Sequence, residues 1–297
     1  MRVVFNTAFE HGLKSINQAA EALTEAHRQV ASGRRIARPS QDPLGTGTAI
    51  HEHANLDRLD ASSNATESSA YRLTVADNTL SDIITQLTAA QSTALSARGS
   101  SQTQAQRDAA SNQLLAIRDA LMSDANTKFQ GTYLFSGSQV TTAPFAGSGG
   151  VISAYQGDSN VTSVEVEPGK TVASTFDAGQ IFKGSDPQHI LDALTTLAAD
   201  VSAGNQAGIA AGVDAIDRAF DRATVAQTQV GNQLRVLDAT RSRLSFERVA
   251  AVARLSSVED ADLAEAATKL SQADTAYRAA LGSVATLGKV TLMDYLK

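Results

Sequence analysis

The 297-residue sequence contains no cysteine, no tryptophan and only five prolines. Without cysteine there is no disulfide, no thiolate nucleophile and no thiolate metal ligand. That absence leaves the compartment open, because extracellular proteins use disulfides often but not always. Charged residues make up 19% of the chain and aromatics 5%, where a globular domain carries ~25% charged residues. No run of ~18 apolar residues occurs, so no membrane span and no membrane partner is expected. The opening Met1-Arg2-Val3-Val4-Phe5-Asn6 has too short an apolar run for a secretory signal. If the protein works outside the cell, it is expected to be exported without a cleaved signal peptide. The net charge is -6, and the densest basic stretch, Arg28, Arg34, Arg35 and Arg38, is short and interrupted. It reads as a solvated or ion-paired helix end, and nucleic acid is not expected as a partner.

Alanine, serine, threonine and glutamine fill the space that aromatics leave, a composition suited to long helices packed closely side by side. The clearest periodicity lies at the two ends. Leu13, Ile16, Ala20, Leu23, His27 and Val30 follow one another at alternating steps of three and four. So do Leu263, Ala266, Leu270, Ala273, Tyr277, Ala280, Val284 and Leu287. Such alternation averages 3.5 residues and keeps one seam of a helix facing a partner helix. Two narrow seams at opposite ends of a chain predict that the ends pair with each other or with neighbouring subunits. Seams this rich in alanine bury little area, so the pair is expected to be marginal alone and firm once assembled.

Between the ends the pattern is helical, then β, then helical. Gly33 marks the end of the first helix, and Asp42-Pro43 reads as an N-cap with proline at the first helical position. Helix is expected from Leu44 to Ala97, with Leu73, Ala76, Leu80, Ile83 and Leu87 on one stripe. Gly99-Ser100-Ser101 breaks it, and Thr103-x-x-Gln106 is a capping box opening the next helix. Residues 129–183 turn to short β-branched and aromatic runs divided by Gly147-Ser148-Gly149-Gly150, Gly157-Asp158 and Pro168-Gly169. Helices are expected to resume at Asp186-Pro187, read as a second N-cap, and to include a long one from Asn205 to Leu255. The fold class expected is mostly α, with long antiparallel helices and terminal coiled-coil helices flanking a small antiparallel β insert.

No residue pattern points to catalysis, to a metal or to a cofactor. His51 and His53 would sit about 200° apart on a helix, unlike the i,i+4 pairs that bind metal. Gly45-Thr46-Gly47-Thr48 lacks the strand and lysine of a phosphate loop and reads as a helix start. Glu165 and Glu167 alternate on a strand and read as a solvated outer face. His11, His27 and His189 lie in no context that suggests a triad. Arg235, Arg241, Arg243, Arg248 and Arg254 read equally as a solvated helix face or as an inter-subunit charge surface.

Two motifs give the chain a recognisable look. Val30-Ala31-Ser32-Gly33-Arg34-Arg35-Ile36 followed by Pro39-Ser40-Gln41-Asp42-Pro43 resembles the N-terminal loop of the flagellin family. Asp42-Pro43, in place of the usual D-D-A-A-G type, is similar to the hook–filament junction branch of that family. Gln130-Gly131-Thr132-Tyr133-Leu134-Phe135-Ser136-Gly137, with Thr141, Pro144 and Phe145, resembles the same branch at the start of its β domain, and Tyr277 to Leu296 resembles its closing helix.

The resemblance implies five segments: residues 1–35 and 257–297 as inner-tube coiled-coil helices, 36–128 and 185–256 as two halves of a helical domain, and 129–184 as a surface β domain. It implies a structural subunit of the bacterial flagellum, located outside the cell, that joins hook to filament and offers flagellin a surface for assembly. The implied partners are neighbouring copies in a ring, a hook-side junction protein, flagellin, and an export chaperone at the C-terminal helix. Type III export is implied as the route. A subunit of the filament itself, or a helical ligand-binding or signalling protein, are the alternatives.

Overall fold

The computed structural model describes residues 2–99, 102–148 and 151–295. The sequence-predicted break at Ser100-Ser101 and the turn at Gly149-Gly150 lie outside them. Seven helices and six short strands follow in chain order. They are α1 (Arg2–Ser32), α2 (Pro43–Ala97), α3 (Gln104–Ala125), β1 (Lys128–Phe129), β2 (Thr132–Tyr133), β3 (Gly147–Ser148), β4 (Val151–Ile152), β5 (Ser163–Glu167), β6 (Lys170–Ala173), α4 (Ala178–Phe182), α5 (Ile190–Ala203), α6 (Gln206–Glu259) and α7 (Leu263–Tyr295). The chain is thus mostly helical with a small β insert, as the pattern predicts. Within the insert the strands pair antiparallel as β1–β2, β3–β4 and β5–β6.

Two compact units divide the chain. One holds residues 1–59 and 246–297, the other residues 60–245. The second unit carries the apolar core. The predicted α2 stripe is fully buried there, with Leu73, Leu80, Ile83 and Leu87 at 1% exposure or less. Leu114 and Leu121 of α3 and Leu191, Leu194 and Leu197 of α5 are buried with it. α3 opens with the capping box: Gln106 N–H donates to the Thr103 hydroxyl, and Thr103 N–H donates to Gln106 Oε1 at 2.9 Å. α5 closes on Gly204, whose φ of 72° is the left-handed conformation that glycine enters without strain.

The β insert packs its aromatics inward. Phe145 sits 5.5 Å from Phe182, 5.7 Å from Tyr155 and 5.3 Å from the His189 ring, all between centroids. Asn126 clips the Phe145 backbone from both sides, donating to its carbonyl at 2.8 Å and accepting its N–H at 3.1 Å. The β1–β2 turn has both central residues at positive φ, Gln130 at 49° and Gly131 at 82°, the twist that a two-residue hairpin favours.

Two readings of the sequence change in this unit. Asp186 is not the N-cap of α5. The helix begins three residues later, on His189, whose Nδ1 accepts the Asp192 N–H at 3.2 Å. Asp186 instead binds Arg218 at 2.7 Å and Arg222 at 2.9 Å on α6, since two guanidinium groups outbid a helix start for one carboxylate. Glu165 and Glu167 do not share a solvated face, because a register shift between them turns Glu167 inward. There it is 7% exposed and paired with Arg243 of α6, while Glu165 stays at the surface and accepts the Gly169 N–H. His189 is a buried structural group, and burial pushes its pKa below the ordinary histidine value.

Candidate assembly interface

In the unit formed by the chain ends, α1 and α7 pack against each other. They run antiparallel. Ala261, just before α7, donates its N–H to the Gly33 carbonyl just after α1, while Val284 lies against Gly12 further along. A Cβ on Gly12 would stand 2.7 Å from Val284 Cγ2, so glycine permits close approach at that level. Ala26, at 6% exposure, and Ala266, at 3%, are the buried contacts of this pair.

The sequence-predicted seam residues lie along this pair with unequal burial. Ile16, Ala20 and Leu23 on α1, and Leu270, Ala273, Tyr277, Ala280 and Val284 on α7, are half-buried. Leu13, Val30 and Leu263 are exposed, at 44%, 36% and 58%. His27 is exposed, and the side chain of Leu287 lies outside the described residues. A helix pair that buries alanine and leaves leucine half in water has apolar surface left to cover.

The motif residues 32–43 form a clasp across the joint between α6 and α7. Gly33, at φ 67°, ends α1 in the left-handed conformation, and the Ser32 hydroxyl accepts the Arg34 N–H at 3.2 Å. Arg35 N–H then donates to the Glu259 carbonyl at 2.7 Å. The Arg35 guanidinium reaches the Val258 carbonyl through Nε and Nη2, at 3.1 and 2.7 Å, and Asp42 through Nη1, at 3.1 Å. Asp42 also accepts the Gly45 N–H at 2.8 Å, which makes it the N-cap of α2, with Pro43 following as the first helical residue. That backbone bond first, and Arg35 after it, hold the Asp42 carboxyl below its usual pKa. Ile36 fills the space where a Cβ on Gly45 would fall, 2.6 Å from its Cδ1. Pro39 lies in the exposed turn of the loop.

The far side of the clasp is acidic. Glu259 pairs with Arg34 at 2.9 Å and with His53 Nε2 at 3.0 Å. Asp262 caps α7 by accepting the N–H groups of Ala264 and Glu265. Arg254 binds Glu52 of α2 at 3.0 Å. So His53, through a hydrogen bond to Glu259, and Glu52, through its ion pair with Arg254, both meet the C-terminal part of α6. Val258, Glu259 and Ala261 carry no sequence signature of their own. The acidic run Glu259, Asp260, Asp262, directly after an arginine-rich helix, was the one available hint.

The second motif packs the β insert of the other unit. Phe135 and Phe145 are 0% and 1% exposed, Pro144 is buried, and Tyr133 is half-buried under Lys128 Nζ, 4.5 Å from the ring centre. Gly137 has φ 66°, and a Cβ there would collide with the Asp158 carbonyl at 2.1 Å, so both shape and conformation require glycine. Asp158 accepts from Ser138 N–H, the Ser138 hydroxyl and Asn160, bonds that hold its carboxyl down to about 2. Tyr155 donates to the Phe135 carbonyl at 3.1 Å, and burial pushes its phenol upward.

Residues 5–140 match the bacterial flagellin N-terminal helical region. Flagellar hook-associated protein 3 of Salmonella typhimurium is 24% identical over 183 residues, 61% of this chain and 57% of that protein. This chain is similar to hook-associated protein 3. The Escherichia coli protein of the same name is 21% identical over the same shares of each chain, so the match spans somewhat over half the length of these relatives. Among solved structures, FlgL of Bacillus cereus superposes with a TM-score of 0.61 at 21% identity, over 69% of this chain and 99% of its own. The flagellar junction protein FlgL of Legionella pneumophila gives 0.61 at 13% identity, over 72% and 100%. The chain shares its fold with these structures, and the relatives it matches are named as flagellar proteins. No described helix is long and apolar enough to cross a membrane.

Proposed function

We propose that this chain is a structural subunit of the bacterial flagellum that joins hook to filament and presents the surface on which flagellin assembles. The observation that carries the reading is the incompletely covered α1–α7 pair, clasped at one end by the family motif. A subunit that must add to a growing tube needs terminal helices with apolar surface in reserve, and a loop that fixes where they begin. In this reading residues 1–35 and 257–297 line an inner tube, 36–128 and 185–256 form the helical wall, and 129–184 is displayed at the surface. Partners are neighbouring copies in a ring, a hook-side junction protein on one side and flagellin on the other. Before export an escort chaperone covers α7, and the chain leaves through the flagellar export route. The role is mechanical, and catalysis has no part in it.

A strain lacking the gene tests this directly, with electron microscopy of its flagella and a flagellin assay of the medium. Bare hooks with abundant free flagellin are expected. Attached but altered filaments would replace the reading with that of a filament subunit, and normal flagella would end it. Leu270→Asp and Val284→Asp put a charge on the half-buried seam. Each is expected to abolish swimming while far-UV dichroism and the unfolding midpoint stay near wild type, and normal motility would remove the seam from the account.

A further inference from the structure

Residues 244–254 of α6 carry two apolar faces. Leu244 and Ala251, 4% and 0% exposed, lie on one side, where Arg254 reaches Glu52 of α2. Phe246, Val249 and Val252 fall within an arc of about 120° on the opposite side, at 100° per residue. They are 76%, 67% and 44% exposed. A helix with two apolar faces needs two partners, and α2 supplies one. On α2 an outward stripe also runs opposite the buried Ala49 and Glu52: Ile50, 64% exposed, with the small Ala54 and Ala61 after it.

The charges around these two stripes are complementary. From residue 241 to 254, α6 carries Arg241, Arg243, Arg248 and Arg254 against Glu247 alone. From residue 50 to 67, α2 carries Glu52, Asp57, Asp60 and Glu67 against Arg58 alone. Over these stretches the two helices carry opposite formal signs, although Arg254 pairs with Glu52 and Arg243 with Glu167 inside the chain. Phe246, Val249 and Val252 together offer on the order of 300 Å², well below the ~800 Å² per partner of a stable standard interface. A contact of that size does not hold an isolated dimer; it holds when repeated around a closed set of copies.

We infer that the Phe246–Val249–Val252 face of one copy seats on the Ile50–Ala54 face of a second copy, in a head-to-tail contact. The inference rests on the flagellar reading and names the surface through which neighbouring copies meet. Because the chain has no cysteine, the contact can be read by cross-linking. In flagella built with a Val249→Cys, Ala54→Cys double variant, mild oxidation is expected to give a ladder from dimer upward on a non-reducing gel, while either single variant stays monomeric. Assembled double variant with no ladder, or dimers from Val249→Cys alone, overturns the head-to-tail contact.

Phe246→Asp provides a second arm. Its side chain is exposed, so the unfolding midpoint should not move, while the amount of chain recovered in flagella should fall at least tenfold. Wild-type recovery of this variant rejects the surface. If the wild-type chain itself fails to restore flagella to the deletion strain, the functional reading falls instead, which keeps the two failures distinct.

Discussion

The two units of this chain solve burial in opposite ways. The unit of residues 60–245 encloses leucine, isoleucine and phenylalanine, with Leu80, Leu114, Phe135 and Phe145 at 1% exposure or less. Among the described residues of the unit of the chain ends, the buried apolar ones are Ala26, Ala49, Leu59, Ala251 and Ala266, four of the five being alanine. At ~25 cal/mol per Å² a buried alanine contributes a fraction of what a buried leucine does. The unit of residues 60–245 therefore holds itself, and the unit of the chain ends is held by hydrogen bonds, by its clasp, and by whatever covers its seams.

Substitutions in each unit can break or sharpen that contrast. The largest effect belongs to Phe145→Ala, which removes a ring packed against three others and is expected to cost about 3–5 kcal/mol, seen as a lower urea midpoint. A loss below about 1 kcal/mol would mean the insert is not part of the stable unit. Asp158→Asn comes next. The Asp158 pKa in the folded chain, about 2, lies below the ordinary carboxylate value. Its stabilisation is therefore present above about pH 4 and is lost as pH falls through 2. The gap between wild type and variant should be constant near neutrality and close between pH 4 and 2, and a gap independent of pH would refute the assignment.

Arg35→Ala should cost about 1 kcal/mol, and the cost should be local. Amide exchange at Arg35 and Ala261 is expected to speed up while the core of α5 is unchanged. The smallest effect is expected of Leu13→Ala. With Leu13 44% exposed, its loss should move the unfolding of the isolated chain by less than about 0.5 kcal/mol. A cost near that of Phe145→Ala would show the end helices to be as well packed as the core.

Local chemistry was legible and distant chemistry was not. The α2 stripe, the Thr103 capping box, the Gly33 stop and the Asp42-Pro43 helix start all depend on residues within one or two turns, and spacing alone reveals them. Asp186-Pro187 has the same local look as Asp42-Pro43, yet two arginines thirty-odd residues away claim the carboxylate, and His189 takes the cap. Glu167 turned inward because of one register shift that no alternation rule anticipates. The clasp was half legible. Its motif side stood out, but two of its acceptors are the backbone carbonyls of Val258 and Glu259, and carbonyls leave no mark in a sequence.

The clasp also sets how the chain yields to force. The start of α1 and the end of α7 lie at the far end of the pair from the clasp, because the two helices run antiparallel. A pull that draws the termini apart therefore peels the helices one seam contact at a time, like opening a zip, at low tension. Peeling stops where Arg35 N–H, Ala261 N–H and the Arg35 guanidinium bear load together. Tension along the helix axes would instead shear every seam contact at once. The same pair is thus weak to threading by one end and strong under axial strain.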